Sequence, residues 1–220
     1  MKFHIFIVLM TLFACQKQVK DTPKKHNMVK QDDSKEQNIK PSPENLEDFL
    51  YDYCEQNTEN QVVIETNFGN ITIELFNETF LHRANFIYLI KQDYYENMEF
   101  HRVINHFMIQ GGKNKNYETS KKRSAIGYYE LPSEIIKGLK HERGMVSAAR
   151  EWENNPNKKS SAFEFFIIQK YGGASHLNGE HTVFGRVTDG MNVVDAISKV
   201  PTGENNWPLT AVIIKKMTLK

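Results

Sequence analysis

The chain reads as a mainly β domain, a barrel or a sandwich, behind a polar N-terminal stretch, and three observations carry that reading. Short runs rich in β-branched and aromatic residues recur from Val62 to the C-terminus. Helical spacing is confined to a few segments between them. No internal repeat and no low-complexity tract interrupts the series. With 220 residues, 40% of them hydrophobic and 25% charged, the composition is that of one ordinary globular domain with appendages.

The elements follow in order. In "VVIETNFGNITIEL", Ile71, Ile73 and Leu75 fall on one face and Thr72 and Glu74 on the other, so the stretch predicts a hairpin whose positive-φ residue is Gly69. A helix is expected from about Glu78 to Ile90, where Phe86, Leu89 and Ile90 return at helical spacing. Strand-like runs then come at Glu99 to Val103, Phe107 to Gln110, Gly144 to Ala148, Phe163 to Ile168, Thr182 to Val187 and Ala211 to Leu219. Met191 to Ser198 has helical spacing.

Ahead of this domain (58–220) the chain divides into three parts. Residues 1–14 carry one lysine and then an apolar run too short for a permanent membrane span, which reads as a signal peptide. Leu12-Phe13-Ala14-Cys15 resembles the lipobox of bacterial lipoproteins, with Phe13 bulkier than the usual occupant. The resemblance implies that Cys15 is lipidated and anchors the protein to a membrane of the cell envelope. Residues 15–41 are dense in Lys, Gln, Asn and Asp and nearly free of aromatics, so they bury too little to fold and read as a tether. Residues 42–57 predict a short amphipathic helix capped by Ser42, with Pro43 in its first turn and Leu46, Phe49, Leu50 and Tyr53 on one face, docked on its own domain. Cys54 lies near that face and is expected to be a buried, inert thiol.

A formal charge of +1 supplies no basic field for nucleic acid. The 8 histidines include no HExxH pair and no Cys/His ligand spacing, so neither a metal site nor a cofactor is expected. Gly111-Gly112 lacks the Lys-Ser/Thr of a phosphate loop, and no G-x-S-x-G elbow is present. What remains is "FHRVINHFMIQGG", Phe100 to Gly112: an arginine, a glutamine and apolar side chains, with no activated nucleophile.

That segment, followed by "GMVSAA", "EFFII" and "HLNGEHTVFGRV", resembles in order and spacing the cyclophilin-type peptidyl-prolyl cis/trans isomerases, with "ELPSEIIKGLKHERG" and "DGMNVVDAISKVPT" similar to connecting segments of bacterial members. The likeness runs from about Val62 to the C-terminus. It implies a closed eight-stranded antiparallel β-barrel capped by two helices, with the active groove on the outer face. Arg102 matches the catalytic arginine, and Gln110 and His181 match polar groups that hold the substrate backbone and the arginine. Phe107, Met108, Phe166 and Leu177 match the apolar pocket for the proline ring, and Ala149 lines the neighbouring edge.

Four positions depart from the family pattern. Asn105 replaces a common proline, which should loosen the turn at His106. Arg150 stands where asparagine is frequent, and a long cation there is expected to favour acidic residues in the substrate. Glu164, commonly glutamine, is placed near Arg102 for an ion pair. His176 stands in place of a tryptophan tied to cyclosporin binding, so weak cyclosporin binding is expected. The resemblance implies rotation about X-Pro bonds of unfolded or newly exported polypeptides; the alternative is a proline-segment binder, a holdase or scaffold without turnover. A monomer is expected, since no segment reads as an interface.

Overall fold

The computed structural model describes residues 40–220; the stretch read as a signal peptide, Cys15 and nearly all of the stretch read as a tether lie outside the described residues. Eight antiparallel strands close a barrel. They are β1 (Gln61–Thr66), β2 (Gly69–Leu75), β3 (Met98–Ile104), β4 (Met108–Lys113), β6 (Met145–Ala148), β8 (Phe165–Ile168), β9 (Val183–Asp189) and β10 (Ile213–Leu219), in the order β1-β10-β3-β4-β8-β6-β9-β2. Two further strands of two residues each, β5 (Glu130–Leu131) and β7 (Ser160–Ser161), pair outside it. The barrel is the expected architecture, and closure leaves it no free edge.

Strand alternation fills the interior. In the β1–β2 hairpin Val62 pairs with Ile73 and Ile64 with Ile71, and all four side chains are buried. Phe100, Ile109, Val146, Phe165, Ile167 and Phe184 join them. The hairpin turns at Asn67-Phe68 with Gly69 at φ +128°, a conformation closed to other residues. At Gly112 (φ +111°) an added Cβ would stand 2.2 Å from the Phe163 carbonyl oxygen. Gly112 is there because the chain before β8 passes this close.

Helix α2 (Phe80–Lys91) is buried along nearly its whole length, and α4 (Met191–Ser198) spans its predicted range. Both were expected as caps. Helix α1 (Leu46–Gln56) starts later than the predicted Ser42 cap. Asn45 holds the N-cap position, and its Oδ1 accepts from the Ser42 N–H at 2.7 Å, which spends Asn45 on the turn before the helix. It packs on α2 through Phe49 and Tyr53, whose rings lie 5.2 and 5.4 Å from that of Tyr88. Cys54 is half-buried, and its Sγ accepts from Arg83 Nη2 at 2.8 Å. Helix α3 (Glu118–Ile126) is a finding of the structure alone. Thr119 and Ile126 are its buried residues, too few for an apolar stripe to show.

Candidate active site

Strand register assembles the site. Across four adjacent strands Arg102 pairs with Gln110, Gln110 with Phe166 and Phe166 with Ser147, so one transverse row on the barrel's outer face carries a cation, an amide, an aromatic ring and a hydroxyl. A bulge between Phe100 and Arg102 puts two residues of β3 opposite one of β4, so the strand can turn Phe100 into the core while Arg102 stays on the outer row. The next row, Ile104, Met108 and Ile168, is apolar.

That apolar row is the base of a second hydrophobic cluster, distinct from the barrel core. Met108, Phe166, Ile168, Ala174 and Leu177 form it, and Ile104, Phe107 and Ala149 pack against it. All the residues predicted for a proline pocket therefore meet in one place. His176 borders it, its ring 5.5 Å from that of Phe107. The tip of the β3–β4 turn carries a local side-chain hydrogen bond. Asn105 Oδ1 accepts from the His106 N–H at 2.9 Å and supports a left-handed His106 (φ 56°), so asparagine fastens the turn by a hydrogen bond where proline would do so by its ring.

His181 closes the pocket on one side. Its ring meets Phe166 edge-on at 5.3 Å, and its Nδ1–H donates to the Ala148 carbonyl at 3.0 Å, since a carbonyl can only accept. Burial pushes the ring down to about 4, overcoming the pull of the Ala148 carbonyl, and the Arg150 charge adds to the effect. The imidazole is neutral at physiological pH. Beneath Phe166 lies His141, parallel to it at 6.1 Å and linked by Nε2 to Ser147 Oγ at 3.0 Å. Ser147 in turn donates to the Thr182 carbonyl at 2.7 Å. His141 and Ser147 carry no sequence signal; their part in holding Phe166 exists only in the fold.

Glu164 is not paired with Arg102. Its Oε1 takes Arg123 Nη2 at 2.9 Å, and its Oε2 faces His101 Nε2 at 3.3 Å and accepts from Gln110 Nε2 at 3.0 Å. Burial alone would raise this carboxyl, but the hydrogen bond and charge of His101, the Arg123 hydrogen bond and the Lys113 charge outweigh it and hold the group at about 2. An ionised carboxylate accepts only, so it fixes the Gln110 amide with its NH2 inward and leaves Oε1 to receive Arg102 Nη1 at 3.3 Å. The carboxylate orients the arginine through the glutamine. Arg123 was invisible in the sequence because α3 was.

Arg150 is likewise not free. Its Nη2 binds Glu180 Oε2 at 2.7 Å, its Nε donates to the Glu180 carbonyl, and its side chain is 4% exposed, so it has no cation to offer an acidic substrate. Beside the pocket lies a groove of about 790 Å³ bounded by Gln110, Ala149 and Glu164 on the barrel side and by Pro43, Glu44 and Glu47 at the start of α1.

Residues 61–219 match the family model described as cyclophilin type peptidyl-prolyl cis-trans isomerase/CLD, a span that leaves out α1. The chain is 38% identical over 160 residues to peptidyl-prolyl cis-trans isomerase CYP18-1 of Arabidopsis thaliana, covering 72% of this chain and 94% of that one. It is also 38% identical over 165 residues to the peptidyl-prolyl cis-trans isomerase of Acinetobacter baylyi, covering 72% and 85%. Of a longer relative, the isomerase-like 2 protein of Rhizopus delemar, 36% identical, it spans 31%. The crystal structure of a cyclophilin-type isomerase of Cryptosporidium parvum superposes with a TM-score of 0.61 at 30% identity, over 74% of this chain and 98% of that one. A second structure of that protein, in the presence of the dipeptide Ala-Pro, superposes with a TM-score of 0.60. With its barrel, its outer-face apolar pocket beside an arginine and these matches in agreement, the chain belongs to the cyclophilin-type peptidyl-prolyl cis-trans isomerases.

Proposed function

We propose that this isomerase works on exported polypeptides in a bacterial cell envelope, with Arg102 as its catalytic group and Cys15 as its lipid anchor. Rotation about a peptide bond is opposed by ~18–20 kcal/mol of amide resonance. At X-Pro the two isomers are close in energy and exchange slowly. A catalyst needs to favour only the twisted state, in which the proline nitrogen becomes pyramidal and its lone pair can accept a hydrogen bond. A guanidinium N–H aimed at that lone pair binds the twisted state better than either planar one. Phe107, Met108, Phe166 and Leu177 take the proline ring, neutral His181 closes the pocket, and Gln110 steadies the arginine. The observation that carries this reading is the Arg102–Gln110–Phe166 row, which sets a charged donor beside an apolar pocket. Exchange NMR on a proline peptide tests it. Saturable binding with the exchange rate left at its uncatalysed value would instead make the groove a proline-segment binder.

The envelope location rests on the lipobox-like Leu12-Phe13-Ala14-Cys15 and the polar stretch after it. Cys15→Ser is expected to release the protein from the membrane fraction with peptide turnover unchanged. A variant that still sediments with membranes after a salt wash overturns the anchor.

Cyclosporin is expected to bind weakly. It is a large, mostly apolar ring needing area outside the proline pocket, and the His176 imidazole beside Phe107 offers less of it than an indole. His176→Trp is expected to tighten the drug by about 1–3 kcal/mol, the scale of burying one more large side chain, with little change in turnover. Equal dissociation constants for the two proteins would remove His176 from the drug-contact surface.

A further inference from the structure

Trp152 is 58% exposed, yet it is held on two sides. Its indole meets the His181 ring at 5.3 Å and 73°, and the Arg150 guanidinium carbon lies 4.1 Å from its ring centroid. Arg150 is fixed in turn, by two bonds to Glu180 at 2.7 Å and one to the Glu151 carbonyl at 3.1 Å. Lys158 holds Glu180 from the other side at 2.9 Å. The loop that carries Trp152 is tied across itself by Asn155, whose amide donates to the Glu151 and Lys159 carbonyls. An exposed indole on a braced support loses little conformational freedom when something covers it, and rigid aromatic side chains of this kind dominate recognition surfaces.

Its position says what covers it. Phe166, His181 and Trp152 form an unbroken aromatic run, from the buried wall of the proline pocket at 5% exposure to the open rim. Successive peptide residues are 3.8 Å apart at Cα. A chain with its proline ring against Phe166 and His181 therefore brings a flanking residue within reach of Trp152. The cation beneath the ring is neutralised by Glu180, so what the platform offers a substrate is an apolar π face.

We infer that Trp152 is a specificity-determining residue, the platform for an apolar or aromatic side chain on a residue flanking the substrate proline. This rests on the reading of Arg102 and its pocket as the isomerase site. The test is exchange NMR on a panel of X-Pro-Y peptides, with Phe, Leu, Gly or Glu placed singly at X or Y, using wild type, Trp152→Ala and Trp152→Phe. Trp152→Ala is expected to lose about tenfold in kcat/KM on the Phe and Leu peptides of one flank, mostly through KM. The Gly and Glu peptides should lose twofold or less, and Trp152→Phe should keep most of the preference. A uniform loss across the panel would reduce Trp152 to a prop for His181 and overturn the inference, as would no loss at all. Titrating Trp152 fluorescence with the Phe peptide in a Trp207→Phe background reads the platform separately. If wild type turns over no peptide but the emission still shifts, the isomerase reading of the site fails and the platform stands; turnover without a shift does the reverse.

Discussion

Arg102→Ala is expected to lower kcat/KM on proline peptides by about 10²–10³, the scale of removing one preorganised charge-stabilising donor, while the fold stays intact. The structural grounds are specific. Arg102 is half-buried on the outer face of β3 and, among the described residues, its side chain hydrogen-bonds to Gln110 at 3.3 Å, so its loss opens no cavity and strands no buried charge. Among the described residues no second guanidinium is free to replace it in the row, because Arg123 is committed to Glu164 and Arg150 to Glu180. Arg102→Lys keeps the charge but not the planar fork, and is expected to recover only part of the rate. Exchange NMR measures the rate and urea denaturation the stability. A folded Arg102→Ala protein with near wild-type turnover would remove the arginine from the mechanism.

Glu164→Ala is expected to give the largest stability loss, on the order of 3–5 kcal/mol, because it takes from half-buried Arg123 and buried His101 the carboxylate that both face. The same group sets a pH dependence whose sign follows from its depressed titration. Folded Glu164 stays ionised down to about 2, whereas in the unfolded chain it takes a proton near 4.5. Its contribution is therefore fully present above about 4.5 and is lost as pH falls toward 2. At about 1.4 kcal/mol per pH unit, that window holds on the order of 3 kcal/mol. Urea midpoints at pH 7 and pH 3 for wild type and Glu164→Gln isolate it from the other carboxylates, and the Gln variant should show the smaller acid loss. Turnover should also fall about tenfold in Glu164→Ala, since the Gln110 amide is then free to turn and present its NH2 to Arg102, an order-of-magnitude step of about 1.4 kcal/mol in the barrier. Parallel acid limbs for wild type and Glu164→Gln would show that the carboxylate does not carry this charge balance.

Much of the barrel was legible along the chain because its strands announce themselves locally. Ile71, Ile73 and Leu75 alternate with polar residues, and each predicted run became a strand of the barrel within a few residues. The family blocks named the pocket for the same reason: Phe107, Met108, Phe166 and Leu177 are each set in a short, distinctive stretch. What local pattern could not carry lies between segments distant in sequence. Helix α3 has too few buried residues to show a stripe, so nothing in the sequence points to Arg123, and Glu164 pairs with it rather than with the expected Arg102.

The sequence by itself determined the strands and the side chains they carry, since side-chain type and strand alternation are local properties. Tertiary structure alone decided what those residues are free to do. The register of β3, β4, β8 and β6 lines Arg102 up with Gln110, Phe166 and Ser147. Glu180, 30 residues from Arg150, consumes a guanidinium that looked available for substrates. Trp152, an unremarked residue of a polar loop, was brought against His181. Charge pairing and ring contact depend on separations of a few ångströms between residues far apart in the chain, and closure of the barrel is what sets them.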